Sequence, residues 1–313
     1  MGWPERRSGT RAAMLVAVAV FAAVASLLAA VAAVPPASAR SSDHGASFAV
    51  RCDFSHRNLD DPIRYPGIEG NLDDPDHDFH SHDFFGNETT KFDSTYESLR
   101  AADTTCTRPK DTAAYWLPTV SWDGEVLNSN RAVFYYRAGG KDYKEVKPFP
   151  AKLKIIAGNE KRVTWRCGRT DNGGGSHRPP SRCDGPNPQL GVRIIFPDCL
   201  DVARNGKPRL NSPDHRSHMV YSRLIDGRVR CPRSYPRPVP VLTMNVTFDL
   251  PKPSGKVTLS SGGASTMHAD FFNAWDQVEL NHLVVSCINK VPPSKPRPDA
   301  CQAGFPPPPP PPS

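Results

Sequence analysis

Val239-Pro240-Val241-Leu242-Thr243-Met244-Asn245-Val246-Thr247-Phe248 is a run of β-branched and apolar residues that reads as a strand. Its alternation is partial, as expected of a strand buried on both faces. Shorter runs of the same kind lie at 132–136, 152–156, 163–165, 192–196 and 283–287. Turn signals separate them: Asp123-Gly124, Gly139-Gly140, Asn205-Gly206, Asp226-Gly227 and the triple glycine Gly173-Gly174-Gly175. Only 96–102 and 269–279 read as helices, both brief. The 34 prolines in 313 residues, about twice the usual share of roughly 5%, break long helices by removing a donor and clashing with the preceding turn. Coiled coils, helical bundles and polytopic membrane proteins are disfavoured. The expected fold is all-β: a β-sandwich or jelly-roll-like single domain with long loops, few short helices and disulfides.

The ends differ from this body. Arg6, Arg7 and Arg11 precede an apolar run, 12–34, broken only by Ser26, and Pro35-Pro36-Ala37-Ser38-Ala39 offers a small-x-small cleavage site. This order of charged, apolar and small residues is that of a secretory signal peptide, cleaved after Ala39. An uncleaved anchor is the alternative, since the run is long enough to span a bilayer. Any membrane association is therefore expected only through this segment. Residues 40–47 read as a disordered lead, 48–290 as one secreted β-rich domain, and 291–313 as a proline-rich tail in polyproline II, ending in seven consecutive prolines.

All eight cysteines follow the cleavage site, and an even count in an exported chain reads as up to four disulfides, with 105 pairings open. The Gly/Pro/Ser-rich stretch 169–188 reads as an exposed insertion pinned by Cys167 and Cys183. Asn87 and Asn245 begin glycosylation-type triplets. The net charge is +7; three arginines against Glu5 give the signal +2, leaving +5 for the mature chain. That charge is dispersed and matches no nucleic-acid module, so nucleic acid is not an expected partner. It suits retention on an anionic cell wall. The expected location is extracellular, in association with a cell wall, and the sequence leaves the oligomeric state open.

Histidines carry the chemical signal. Three tight groups stand out: His80-Ser81-His82-Asp83-Phe84-Phe85-Gly86-Asn87, Ser212-Pro213-Asp214-His215-Arg216-Ser217-His218-Met219 and Met267-His268-Ala269-Asp270-Phe271-Phe272-Asn273. On a strand His80 and His82 share a face, and on a helical turn His215 and His218 do. His268 with Asp270 supplies a further imidazole–carboxylate pair. The candidate catalytic set is His80, His82, Asp83, His215, His218, His268 and Asp270. In one reading, His80, His82, His218 and His268 hold a divalent transition metal that polarises a substrate or activates water. In another, histidine and aspartate act without metal as general acid and base. A third makes the cluster structural. Predicted cleavage before Arg40 opposes a histidine brace, the spacing to Glu88 is too long for a cupin, and no G-x-S-x-G, H-E-x-x-H or phosphate loop occurs. Trp116 and Trp275, near these polar motifs, are the candidate platforms for a sugar ring.

Taken together, Asp61-Pro62-Ile63, Pro66-Gly67, the 80–87 group, Tyr96-Glu97-Ser98-Leu99-Arg100, Thr104-Thr105-Cys106, Asp111 with Ala114-Tyr115-Trp116 and Pro118, Tyr135-Tyr136-Arg137, Phe149-Pro150, Phe196-Pro197-Asp198-Cys199, the 212–219 group, Cys231-Pro232 and His268-Ala269-Asp270-Phe271 resemble the domain-of-unknown-function family number nineteen ninety-six. That family is found in secreted proteins of fungi and actinobacteria. The chain departs from the family pattern at Leu200, where the family usually has tryptophan after Phe-Pro-x-Cys, and in the acidic stretch 71–78. The resemblance implies secretion and a single domain, and it assigns no activity. The expectation drawn from the residues is a carbohydrate-active hydrolase or lyase acting on extracellular polysaccharide. Its rival is a noncatalytic glycan- or wall-binding protein.

Overall fold

Short β-branched runs interrupted by glycine and proline turns fold as antiparallel strands, and ten of them build two five-stranded sheets. The computed structural model describes Gly2 and residues 45–59, 61–63, 80–158, 161–170 and 174–302. Apart from Gly2, the expected signal segment lies outside these residues, as do the lead up to 44 and the final prolines. The chain divides into two compact units, Met1–Ser42 and Asp43–Ser313, and the second is the one described below.

Its principal strands are β1 (Ser47–Cys52), β2 (Phe54–Asn58), β3 (His82–Gly86), β4 (Ala114–Pro118), β5 (Ser129–Arg137), β6 (Lys154–Ala157), β7 (Val163–Cys167), β8 (Gln189–Ile195), β9 (Val241–Asp249) and β10 (Ala269–Phe272). One sheet has the order β1-β5-β9-β8-β7, the other β2-β3-β4-β10-β6. The run that decides the fold becomes β9, the central strand of the first sheet. It pairs antiparallel with β5 and β8 and is buried along nearly its whole length. Phe48, Phe134, Met244 and Ile194 of the first sheet share one core with Phe85, Tyr115, Phe271 and Ile155 of the second. Tyr115 and Phe134 stack with ring centroids 3.9 Å apart across this interface. The fold is thus a β-sandwich. The outer face of the second sheet carries a smaller cluster, Phe84, Ala114, Trp116, Ile156 and Phe272, covered by Ile63 and by Leu99 of α1 (Tyr96–Ala101). A capping box between Thr95 and Ser98 starts that helix.

Burying a large apolar side chain contributes roughly 1.5–3 kcal/mol, and a disulfide about 2–4 kcal/mol, so four bridges are a substantial supplement. They join Cys52–Cys106, Cys167–Cys183, Cys199–Cys231 and Cys287–Cys301, with no free cysteine. This usage belongs to an oxidising compartment. The Cys167–Cys183 bridge pins the 169–188 stretch as expected. No helix among the described residues is long and apolar enough to cross a membrane.

Several local expectations are corrected. Residues 269–272 form β10, not the start of a helix; α2 is Gln277–Leu283, begun by Asp276, whose carboxylate accepts from Val278 N and Glu279 N. The 283–287 run is helical rather than extended: a π-helix, Val284–Asn289, continues α2. Its β-branched residues favour a strand, but Leu280, Leu283, Val284, Cys287 and Ile288 fall on one face at helical spacing and are buried together. Nor does the body stop at 290. Gly45 N donates to Lys295 O, α3 (Asp299–Gln302) packs on β1, and Cys301 is bonded to Cys287. Asn87 and Asn245 are 0% and 2% exposed, which closes both to glycosylation. Leu200 is fully buried in the main core, so that position packs the interior rather than facing a ligand.

Candidate metal centre

The pleat of the second sheet lays out the site. His82 of β3 pairs with Pro118 of β4, and Asp270 of β10 pairs with Trp116 of β4. Carrying the β4–β10 register two residues further puts His268 level with Pro118, so His82 and His268 flank one proline from either side. Residues two apart along a strand share a face, which sets His80 beside His82 and Asp270 beside His268. All four stand on the outer face, above Phe84 and Trp116.

There the imidazoles meet. His268 Nε2 lies 3.4 Å from His80 Nε2 and 3.4 Å from His82 Nε2. His268 Nδ1 is 3.0 Å from the Thr266 carbonyl oxygen. A carbonyl only accepts, so the proton sits on Nδ1 and Nε2 turns a lone pair toward the other two rings. Metal-bound histidines are oriented in this way, by donating the second ring nitrogen to a carbonyl or carboxylate. The spacing also fits: two ligands held at about 2.0–2.1 Å from one zinc ion at the tetrahedral angle stand about 3.3–3.4 Å apart.

Carboxylates close the set. Asp270 Oδ2 lies 3.6 Å from His268 Nε2, and Asp61 Oδ2 lies 4.0 Å from His82 Nε2. Ligand atoms of His80, His82 and His268 lie within 4.8 Å of one another, as do those of Asp61, His82 and Asp270. Asp270 is fully buried, and neither of its oxygens has a hydrogen-bond partner among the described residues. An ionised carboxylate in that position is costly without a counter-charge. Burial, and then the charge of Asp61, push the Asp270 pKa well above the carboxylate range, against the pull of Arg216. Burial also holds His82 well below the usual imidazole value, with the charges of His80 and His268 adding to the effect. His268 is lowered to about 4 by burial, against its bond to the Thr266 carbonyl. His82 and His268, held neutral by burial, and one undercompensated carboxyl form a donor set suited to a cation.

These directions give a pH dependence. A cation at this point would compete with a proton for Asp270, whose pKa is raised, whereas His268 is neutral above about pH 4. As pH falls through the raised Asp270 pKa, zinc affinity is expected to drop by up to about tenfold per unit for that one proton. Chelator competition over a pH series measures this, and Asp270→Asn should flatten the dependence by about one proton. An unchanged slope in the variant would refute the assignment of that proton.

The remaining sequence candidates lie elsewhere. Asp83, adjacent to His82, points to the opposite face, where both its oxygens bind Arg57 at 2.6 and 2.9 Å and Thr119 Oγ1 donates to it at 2.9 Å. It is a structural ion pair, not a catalytic acid. His218 joins none of the ligand groups among the described residues; its Nδ1 pairs with Ser212 Oγ at 2.8 Å, and burial lowers its pKa to about 4. His215 Nδ1 pairs with Asn211 Oδ1 at 2.6 Å, and its carbonyl accepts from Ile156 N at 3.0 Å. Both hold the 212–219 loop. Trp116 and Trp275 are each 0% exposed and offer no ring face to a sugar. Asp61 and Arg216 are the residues that pattern reading overlooked, although one lies in the Asp-Pro-Ile motif and the other inside the second histidine group. A further triplet, Cys52, Cys106 and Asp111, is discounted because its sulfurs are bonded to each other.

Fold and site together define a disulfide-braced β-sandwich with a three-histidine, carboxylate-flanked centre on the outer face of one sheet. The chain belongs to the family described as domain of unknown function (DUF1996), whose model matches residues 70–275. His80, His82, His268 and Asp270 fall inside that span, and Asp61 precedes it. No curated protein and no solved structure matches the chain.

Proposed function

We propose that this is an exported, metal-dependent protein acting on extracellular polysaccharide as a hydrolase or lyase, with one divalent transition metal held by His80, His82, His268 and Asp270. The two Nε2–Nε2 separations of 3.4 Å about His268, which match those of tetrahedral ligands, carry this reading. Four protein ligands fill a tetrahedral site, so a catalytic ion here would take water or substrate as a fifth ligand, the expansion that catalytic zinc sites undergo. Here the side chains of His268 and Asp61 are 17% and 19% exposed, so one edge faces solvent. A metal held there would polarise a substrate oxygen or lower the pKa of a bound water, and Asp61, on the open edge, would take up the proton. Export is supported by the signal-like first 39 residues and the four disulfides. The polysaccharide is supported by the basic mature chain, which suits the acidic polymers of a cell wall.

The near-complete burial of His82 and Asp270 favours one rival, a wall-binding protein with a structural ion. Assaying the purified mature chain on a panel of wall polysaccharides, with added zinc or with a chelator, separates the two. Turnover that depends on metal supports the enzyme. A metal-dependent rise in melting temperature with no turnover on any substrate leaves the binding protein in its place.

A further inference from the structure

Between His215 and His218 stands Arg216, half-buried and engaged in no ion pair among the described residues. The loop that carries it is held by a network of hydrogen bonds. Asp214 Oδ1 accepts from Arg216 N at 3.1 Å, from Ser217 N and Oγ at 2.8 Å each, and from Ser212 Oγ at 2.7 Å. His215 takes the left-handed conformation, φ 51°, and is fixed through Asn211 and through the bond from Ile156 N. Ile156 is the register partner of Asp270, so the loop is tied to the strand beside the metal carboxylate. Arg216 Nη1 then donates to Gly158 O at 3.2 Å. Gly158 abuts the third histidine so closely that a Cβ there would lie 2.7 Å from His268 Cα. That bond occupies one of five guanidinium donors. The positive charge acts on both Asp270 and His268.

We propose that Arg216 and the metal together bind an oxyanion of the substrate, which makes the polysaccharide an acidic one. The inference rests on the metal reading above. A planar fork of N–H donors beside a cation is suited to an anionic group that bridges the two, one oxygen on the metal and another on the guanidinium. Two wall chemistries present such a group: the carboxylate of a uronate and the phosphate of a polyol phosphate.

Cobalt(II) loaded into the full mature chain gives a visible spectrum that reports on its ligands. Titrating it with glucuronate in one arm and glycerol phosphate in the other is expected to perturb that spectrum in at least one arm, which then names the source. Arg216→Ala is expected to weaken that anion by at least about tenfold, the equivalent of 1.4 kcal/mol, with cobalt affinity retained, and Arg216→Lys to recover part of the loss. If neither anion perturbs the cobalt-loaded protein, or if Arg216→Ala binds it equally well, the inference fails while the metal centre stands. A wild-type chain that takes up no cobalt overturns both.

Discussion

Replacing His268 with alanine is expected to weaken zinc binding by about 100-fold or more, beyond the 10–100-fold typical of losing an outer-sphere partner, while the sandwich still folds. His268 is the imidazole both others approach, at 3.4 Å each, and the one whose tautomer the Thr266 carbonyl sets. Its side chain lies at the open edge, 17% exposed, so truncation opens no closed cavity. Competition with a chelator reads the affinity, and circular dichroism confirms the fold. Loss of zinc with an intact melting transition of the metal-free protein is the expected pair of results. An unaltered affinity would remove His268 from the ligand set. His218→Ala is the control, expected to leave zinc affinity near wild type.

Trp275→Ala is expected to act on stability, costing about 3–5 kcal/mol as for other large aromatic truncations in cores. The ring is fully buried, edge-on to Phe48 and Tyr136 at 6.3 and 6.2 Å. Its Nε1 donates to the hydroxyls of Tyr115 and Tyr136 at 3.1 Å each, and Tyr115 donates onward to Asp111. Burial raises the Asp111 pKa well above normal, against the hydrogen bond from Tyr115. Removing the indole therefore leaves a cavity and strips a donor from a closed polar network. Denaturant titration measures the loss. A variant of native stability that had lost only glycan affinity would restore Trp275 as a binding platform.

Sequence periodicity carried much of the fold. The β9 run and its shorter counterparts announce strands because β-branched residues between turn signals have few other uses. The His80-x-His82 spacing placed both rings on one face for the same reason. Asp83 and Asp270 lie on opposite faces of the sheet, and parity explains it: an aspartate next to a histidine on a strand faces away from it, while one two residues on faces with it. That distinction was available once both segments were read as strands, but 269–279 looked helical. The 283–287 run misled in the opposite sense, since burial at helical spacing overrode its β-branched residues. No local pattern foretells the meeting of β3 with β10 around Pro118, because it depends on strand order. The approach of Arg216 to the Gly158 carbonyl beside His268 is hidden likewise, inside a motif whose histidines draw attention first. Trp116 and Trp275 show the bias of large aromatics toward the core.

The metal centre is tested most directly by X-ray absorption at the zinc edge of the zinc-loaded mature chain. About three imidazole nitrogens at roughly 2.0–2.1 Å with a carboxylate oxygen at a similar distance, one ion per chain, is the expected first shell. An ion surrounded by oxygen alone, or a chain that retains no zinc, would contradict it.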